Sequence, residues 1–284
     1  MSTGNFSIRD ALYESPGPKA KRRIAATTAA SCALLVWLLF VVLRRFYMTG
    51  QLGSKYWSFF TKYATWRFIL RGLSGTLQVA LASGVITFLA GLLLMLGRIG
   101  KNRIIRGVSI VLIEFSRGVP TLLFIYFFLL IAPQFGVKLP AFWKIAMPVA
   151  ISAAGVVAET LRSGVNAVPK GQTEAALSLG MRESHVFFKI VFPQALRYVI
   201  PALISELVIV LKDTTFAYVV NYADLMQNAR VLISNHDALL SVYLVTALIY
   251  ILINFILNKI SVALAGRRDI SKSTIRYNPE GADL

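Results

Sequence analysis

Charge-free apolar runs long enough to cross a bilayer set the pattern of this chain. A hydrocarbon core about 30 Å thick takes roughly 20 helical residues. Ile24 to Leu43 is an uninterrupted run of twenty residues, and Leu73 to Leu96 is one of twenty-four. Four further runs follow: Gly107 to Ala132, interrupted by Glu114 and Arg117; Lys144 to about Arg162; Val199 to about Val220, carrying Glu206 and the pair Lys212-Asp213; and Ala238 to Ala265, with Lys259 near its end. The runs are too long and too uniformly apolar for the alternating strands of a barrel. They predict an all-α integral membrane protein with six transmembrane helices. Pro201 fits the first turn of the fifth, where a missing N–H costs nothing.

Composition agrees, with 56% hydrophobic and only 15% charged residues among 284. The formal charge of +17 would point to nucleic acid in a soluble protein. In a chain of spans it points instead to basic loops facing anionic lipid, so a lipid membrane and not nucleic acid is the expected partner. The first run follows twenty-three residues and has no small-x-small cleavage site, so it is expected to be retained as a span. With both termini cytoplasmic, loops on that side hold 18 Lys/Arg against 9 on the other, which fixes the expected orientation. The dissenting segment is 44–72, with six basic residues, no acid and many aromatics; it reads as an amphipathic stretch lying at the headgroup level. Cys32 is the single cysteine, within the first span, and can form neither an internal disulfide nor a multi-cysteine metal site.

The stretch between the fourth and fifth spans is the most informative. Pro169 and Gly171 are expected to break the fourth helix, and Thr173 to Leu179 holds helix formers stopped by Gly180. A helix of about two turns results, on which Ala175 and Ala176 present little bulk. Such a helix suits another protein's socket, although an ordinary helical loop has the same pattern.

The spacing Glu174-Ala175-Ala176, Gly180, Ile190, Val191, Phe192-Pro193 resembles the EAA loop of the membrane permeases of ABC importers, with Phe192 where leucine is usual. The resemblance implies that Glu174, Ala175, Ala176 and Gly180 form the coupling helix that docks on an ATPase subunit. Glu114-Phe115-Ser116-Arg117-Gly118-Val119-Pro120-Thr121, Ala158-Glu159 with Arg162 and Gly164, Gly171-Gln172 and Leu211-Lys212-Asp213-Thr214 resemble the permeases of the histidine, glutamate, glutamine, arginine and opine group. The opening Tyr13-Glu14-Ser15-Pro16-Gly17-Pro18-Lys19-Ala20, the extra first span and the basic tail resemble the glutamate-uptake permeases of actinobacteria. The organisation then implied has three parts. Residues 1–72 carry a basic N-terminus, the extra helix and the aromatic segment; 73–265 form a type I ABC importer permease core; 266–284 form a basic tail, expected to anchor at the membrane surface or to touch the ATPase. The implied setting is the bacterial inner membrane. The implied partners are a second permease, two ATPase subunits and an extracellular substrate-binding protein.

No Gly-x-x-x-x-Gly-Lys-Ser/Thr phosphate loop occurs, so ATP and Mg are expected on the partner ATPase and no cofactor on this chain. His185 and His236 fall in predicted loops on opposite sides, so no metal site is expected, and no nucleophile elbow is present. Charges within spans are the remaining candidates for the translocation pathway. Glu159 and Arg162 are three apart on one helix face and are expected to pair as a salt bridge more than to touch substrate. Lys212 and Asp213 point in different directions; Lys212 either faces the path or snorkels to headgroups. Arg117-Gly118-Val119-Pro120 breaks a helix, either to line the path or for packing. Glu206 is expected to be satisfied by a helix neighbour and is left without a role. The small residues Gly84, Gly91, Ala150, Ser152, Ala153, Ala154, Gly155 and Ala158 are expected to serve close helix packing. The reading is a permease importing a polar amino acid, glutamate foremost. The alternative is a proton- or sodium-driven secondary transporter using Glu159, Glu206 or Asp213.

Overall fold

The computed structural model describes residues 17–266, and among these every regular element is a helix. The resemblance carried by Tyr13 to Pro16 and the basic tail from Arg267 onward lie outside the described residues. The chain divides into two compact units, ending and beginning at Ser58 and Phe59.

The first unit is dominated by α1, Pro18–Met48, whose 31 residues make a rod of about 46 Å. None of its residues is buried, and Leu34 to Leu43 are exposed around the whole circumference. Cys32 sits exposed on it. A helix with an apolar middle exposed on all sides and none of its residues buried belongs in lipid. A short 3-10 turn, Ser54–Tyr56, follows.

The second unit holds α2 (Tyr63–Ile99), α3 (Arg103–Gly118), α4 (Thr121–Tyr126), α5 (Ala141–Ala167), α6 (Lys170–Ser178), α7 (Glu183–Val186), α8 (Phe192–Asp213), α9 (Leu225–His236) and α10 (Leu239–Gly266). Across both units, five continuous helical stretches are long and apolar enough to cross a membrane, and a bent pair built from α3 and α4 makes a sixth candidate. That third span is bent by 99°. The cause is Pro120, which has no N–H to continue the helix and forces Val119 into the extended conformation at φ −97°. Beyond α4 the chain loosens through a π-turn, Phe127–Ile131, and a 3-10 turn, Ala132–Phe135, and ends at Gly136 in the left-handed region.

The segment 44–72 is divided among elements: α1 runs on to Met48 and α2 begins at Tyr63, ten residues before the charge-free run. The expectation for Pro201 is corrected. The helical path from Glu183 runs through the π-turn Phe187–Val191 into α8, whose first turn carries Pro193, and Pro201 lies inside α8. Burial of Ala195 and Val199 extends the helix well upstream of the apolar run. Residues 221–237, expected as a loop, contain α9.

The core of this unit forms where α2, α5 and α8 meet. Val79, Ile145, Val149 and Val210 fill one layer; Met95, Ile113, Val157, Leu161 and Val199 fill the next. Small residues let α2 approach α5 closely. A Cβ on Gly91 would stand 2.7 Å from the Val157 side chain. The Ser83 and Thr87 hydroxyls donate across the same contact to the carbonyls of Ala146 and Ala150.

Candidate functional site

Two groups of residues sit at different levels of the second unit, one around α6 and one at the bend. Pro169 ends α5 and caps α6, while Gly171 lies inside the first turn of α6 and breaks nothing, contrary to the sequence expectation. Gly180 has φ +78°. Its N–H donates to the Leu177 carbonyl at 2.9 Å, and the Met181 N–H donates to Ala176 at 3.2 Å. This pair of bonds is a Schellman closure, which needs a left-handed residue and therefore favours glycine.

Ala176 is 3% exposed and packs with Val168, Val186, Val191 and Ala195, so it faces the chain's own core and is not available to a socket. Glu174, Ala175, Leu177, Leu179 and Gly180 face outward. Beside them a cleft of about 560 Å³ is lined by Val165, Lys170, Glu174, Leu177, Glu183 and Phe187. Glu183 is paired with Lys101 at 2.5 Å, which links the turn after α2 to the start of α7.

Further into the same end of α5, Glu159 pairs with Arg162, whose Nε and Nη2 stand 3.0 and 2.8 Å from Oε2. The other carboxylate oxygen accepts from Arg98 at the end of α2. One carboxylate thus joins two guanidinium groups, and the pair expected from sequence is a triad. Arg98 was missed because it lies 61 residues from Glu159, in a segment that reads as loop.

At the bend, Thr121 Oγ1 donates to Asp213 Oδ2 at 2.8 Å and lies 2.9 Å from Ser152 Oγ. A hydroxyl has one proton, so the Ser152 hydroxyl is the donor in the second bond. Ser116 Oγ accepts from the Gly155 N–H at 2.9 Å. The bend is therefore held by hydroxyls from α3, α4 and α5 and a carboxylate from α8. Asp213 points inward and Lys212 is exposed, which separates the adjacent pair. Glu206 is buried two turns before Asp213, on the same helix face, and its carboxyl makes no hydrogen bond or ion pair among the described residues. Arg117 is exposed and 3.8 Å from Glu114 one turn earlier, so it stands outside the hydroxyl cluster. Thr121 and Ser152 have no charge to mark them in a sequence.

A third polar cluster ties α2 to α9. Asp224 caps α9, with Oδ1 accepting from the Gln227 N–H at 2.7 Å, and the Leu225 N–H donates to Thr76 Oγ1 at 3.0 Å. Burial pushes the Asp224 carboxyl up to about 6, against the lowering effect of its backbone donors. His236 ends α9 and stacks on Phe59 with ring centroids 4.3 Å apart, and His185 lies in α7; neither is in a loop. Among the described residues no group of three or more His, Cys, Asp or Glu could hold a metal ion.

Residues 84–269 match the family of binding-protein-dependent transport system inner membrane components. The glutamate transport system permease protein GluD of Corynebacterium glutamicum is 37% identical over 222 residues, covering 77% of this chain and 80% of that protein. The probable glutamine ABC transporter permease protein GlnP of Bacillus subtilis is 33% identical, covering 71% and 91%. Among solved structures, an amino acid ABC transporter crystallised with histidines superimposes with a TM-score of 0.69 at 30% identity, covering 74% of this chain and 98% of that one. Fold, motif order and sequence thus agree that the chain belongs to the family of binding-protein-dependent transport system inner membrane components.

Proposed function

We propose that this chain is the permease of an ATP-driven importer in the bacterial cell membrane, carrying a polar amino acid inward, with glutamate as its cargo and both termini cytoplasmic. The observation that carries the reading is α6: a short, glycine-closed helix with Glu174 and Ala175 outward, rooted in the core through Ala176 and flanked by an open cleft.

Two ATPase subunits, which bring ATP and Mg, dock at α6. Because Ala176 is packed with Val168 and Ala195, a displacement of α6 is carried into α5 and α8 as a rigid push and not absorbed by a loose loop. Lys101–Glu183 and the Arg98–Glu159–Arg162 triad keep α2, α5 and α7 in step. The bend at Pro120 is where such a movement can change the spans. A second permease, identical or homologous, completes the path, and an extracellular binding protein delivers the cargo to the opposite face. The chain itself performs no hydrolysis.

Glutamate is supported by the Corynebacterium relative, which is named for glutamate transport. The inward carboxylates Asp213 and Glu206 suit the α-ammonium that every amino acid shares. The exposed cation Lys212 suits a carboxylate.

ATP-dependent uptake of labelled glutamate, glutamine, arginine and histidine into proteoliposomes holding the whole importer tests the reading. Glutamate accumulation that needs ATP and every subunit is the expected result. Uptake by this chain alone, abolished by a protonophore and indifferent to ATP, would replace the importer with a secondary transporter.

A further inference from the structure

The first turns of α2 carry a basic surface that coupling and translocation do not use. Tyr63, Arg67 and Arg71 succeed one another at intervals of four along one face, and with Ala64 and Phe68 they line a cleft of about 290 Å³. Neither guanidinium has a hydrogen bond or ion pair among the described residues. The sequence supplies no local counter-ion: no Asp or Glu occurs between Glu14 and Glu114. Asp224, on the element packed against α2, is fully buried behind Gly72 and Thr76, on the other side of the helix.

What lies below Arg67 decides the occupant. Leu70, Leu77, Leu81 and Val85 continue along the helix at steps of seven, four and four, all exposed, with the exposed Ser74 between the first two, whereas Thr65, Ile69, Gly72, Thr76, Val79 and Ser83 form the buried face. The basic residues therefore head an apolar stripe. Leu73 begins the charge-free run, and at 1.5 Å per residue Arg71 stands about 3 Å and Arg67 about 9 Å beyond it. The polar layer on each side of a bilayer is about 5–7 Å deep, so Arg71 stands within it and Arg67 at its outer edge, where a long side chain can reach back into it. Trp66 immediately precedes Arg67 in the chain. The Trp66 indole Nε1 donates to the Phe60 carbonyl at 2.7 Å. That bond fixes an interfacial ring of the kind that sits among headgroups.

We infer that Arg67 and Arg71 hold the phosphate of an anionic phospholipid whose acyl chain lies on the Leu70–Leu77–Leu81–Val85 stripe. The arginines supply planar donors to the phosphate oxygens. A docking protein would find the charges without needing the stripe; a lipid uses both.

Native mass spectrometry of the full chain assembled with its ATPase subunits, supplied with equal amounts of dioleoyl phosphatidylglycerol and dioleoyl phosphatidylcholine, tests this. The complex is expected to retain phosphatidylglycerol preferentially. A cationic side chain at an anionic surface contributes about fivefold in affinity, so R67Q/R71Q should weaken the tightest phosphatidylglycerol adduct about 30-fold, and R67K/R71K should keep most of it. Both sites are exposed, so folding is not at stake. An unchanged lipid preference in R67Q/R71Q would overturn the inference, and with lost capture of the binding protein it would make this a protein-docking face. Displacement of the lipid by excess inorganic phosphate would reduce it to an anion site without a lipid.

Discussion

The hydroxyl of Thr121, first residue of α4, donates to the carboxylate of Asp213, last residue of α8, at 2.8 Å. This bond ties the helix that follows the bend to α8; at the bend itself the helical hydrogen-bond ladder is interrupted at Pro120. Thr121→Val keeps the shape and removes the donor, leaving Asp213 without it in a partly buried place. A loss of about 1–3 kcal/mol is expected, with Thr121→Ser near wild type. Thermal melting of the purified complex checks it, and equal melting of the valine and serine variants would show the bond to be dispensable.

Gly180 is the second test. Its φ of +78° lies in the left-handed region, and open space surrounds the position. A residue with a Cβ held there costs roughly 1–2 kcal/mol through its clash with the following carbonyl. Gly180→Asp and Gly180→Ala are expected to loosen the closure of α6 and lower the uptake achieved per ATP hydrolysed, with insertion and assembly intact. Gly180→Asn should be milder, because asparagine tolerates the left-handed region. Uptake and hydrolysis measured in the same proteoliposomes give the ratio; a normal ratio in Gly180→Asp would remove α6 from the coupling role.

Glu159 binds two cations, so its loss should exceed that of either partner. Glu159→Gln leaves Arg98 and Arg162 facing each other uncompensated, whereas Arg98→Gln leaves one satisfied pair. A destabilisation of roughly 1–3 kcal/mol is expected for Glu159→Gln, with partial recovery in the double variant Glu159→Gln/Arg98→Gln. A double-mutant cycle on melting temperatures reads the coupling directly.

Asp224 gives a pH signature. Its carboxyl is raised to about 6 from an ordinary value near 3.8, so the folded state binds more protons than the unfolded one between those limits. The contribution of this group to stability is present at the acidic end and is lost as pH rises through about 6. Asp224→Asn preserves the helix cap and removes the buried charge. Its stability relative to wild type should therefore be more favourable at pH 8 than at pH 5. Melting curves at the two values decide it, and a pH-independent difference would mean that Asp224 titrates normally.

Much of this was legible in the chain because lipid imposes a simple rule: apolar runs of bilayer length become spans. The stop at Gly180 was legible because a helix end of this kind demands a glycine. Three features were not. Arg98 meets Glu159 across 61 positions, which no local spacing reports. α9 has only twelve residues, mixed in polarity, and is held by Asp224, Thr76 and Asn228 rather than by an apolar run. Ala175 and Ala176 are adjacent and alike in sequence, and only the position of the Val168–Val191 core shows that one faces out and the other in.

The closure of α6 also bears on how tightly anything can seat against it. A helix end ordinarily offers bare carbonyls, and a partner that covers them must strip their water without returning hydrogen bonds. Here the carbonyls of Ala175, Ala176 and Leu177 already accept from Leu179, Met181 and Gly180. Three of the carbonyls at this end are thus satisfied within the chain, so a partner that covers them meets a smaller desolvation cost than a bare helix end would impose, and can part from it again at correspondingly little gain.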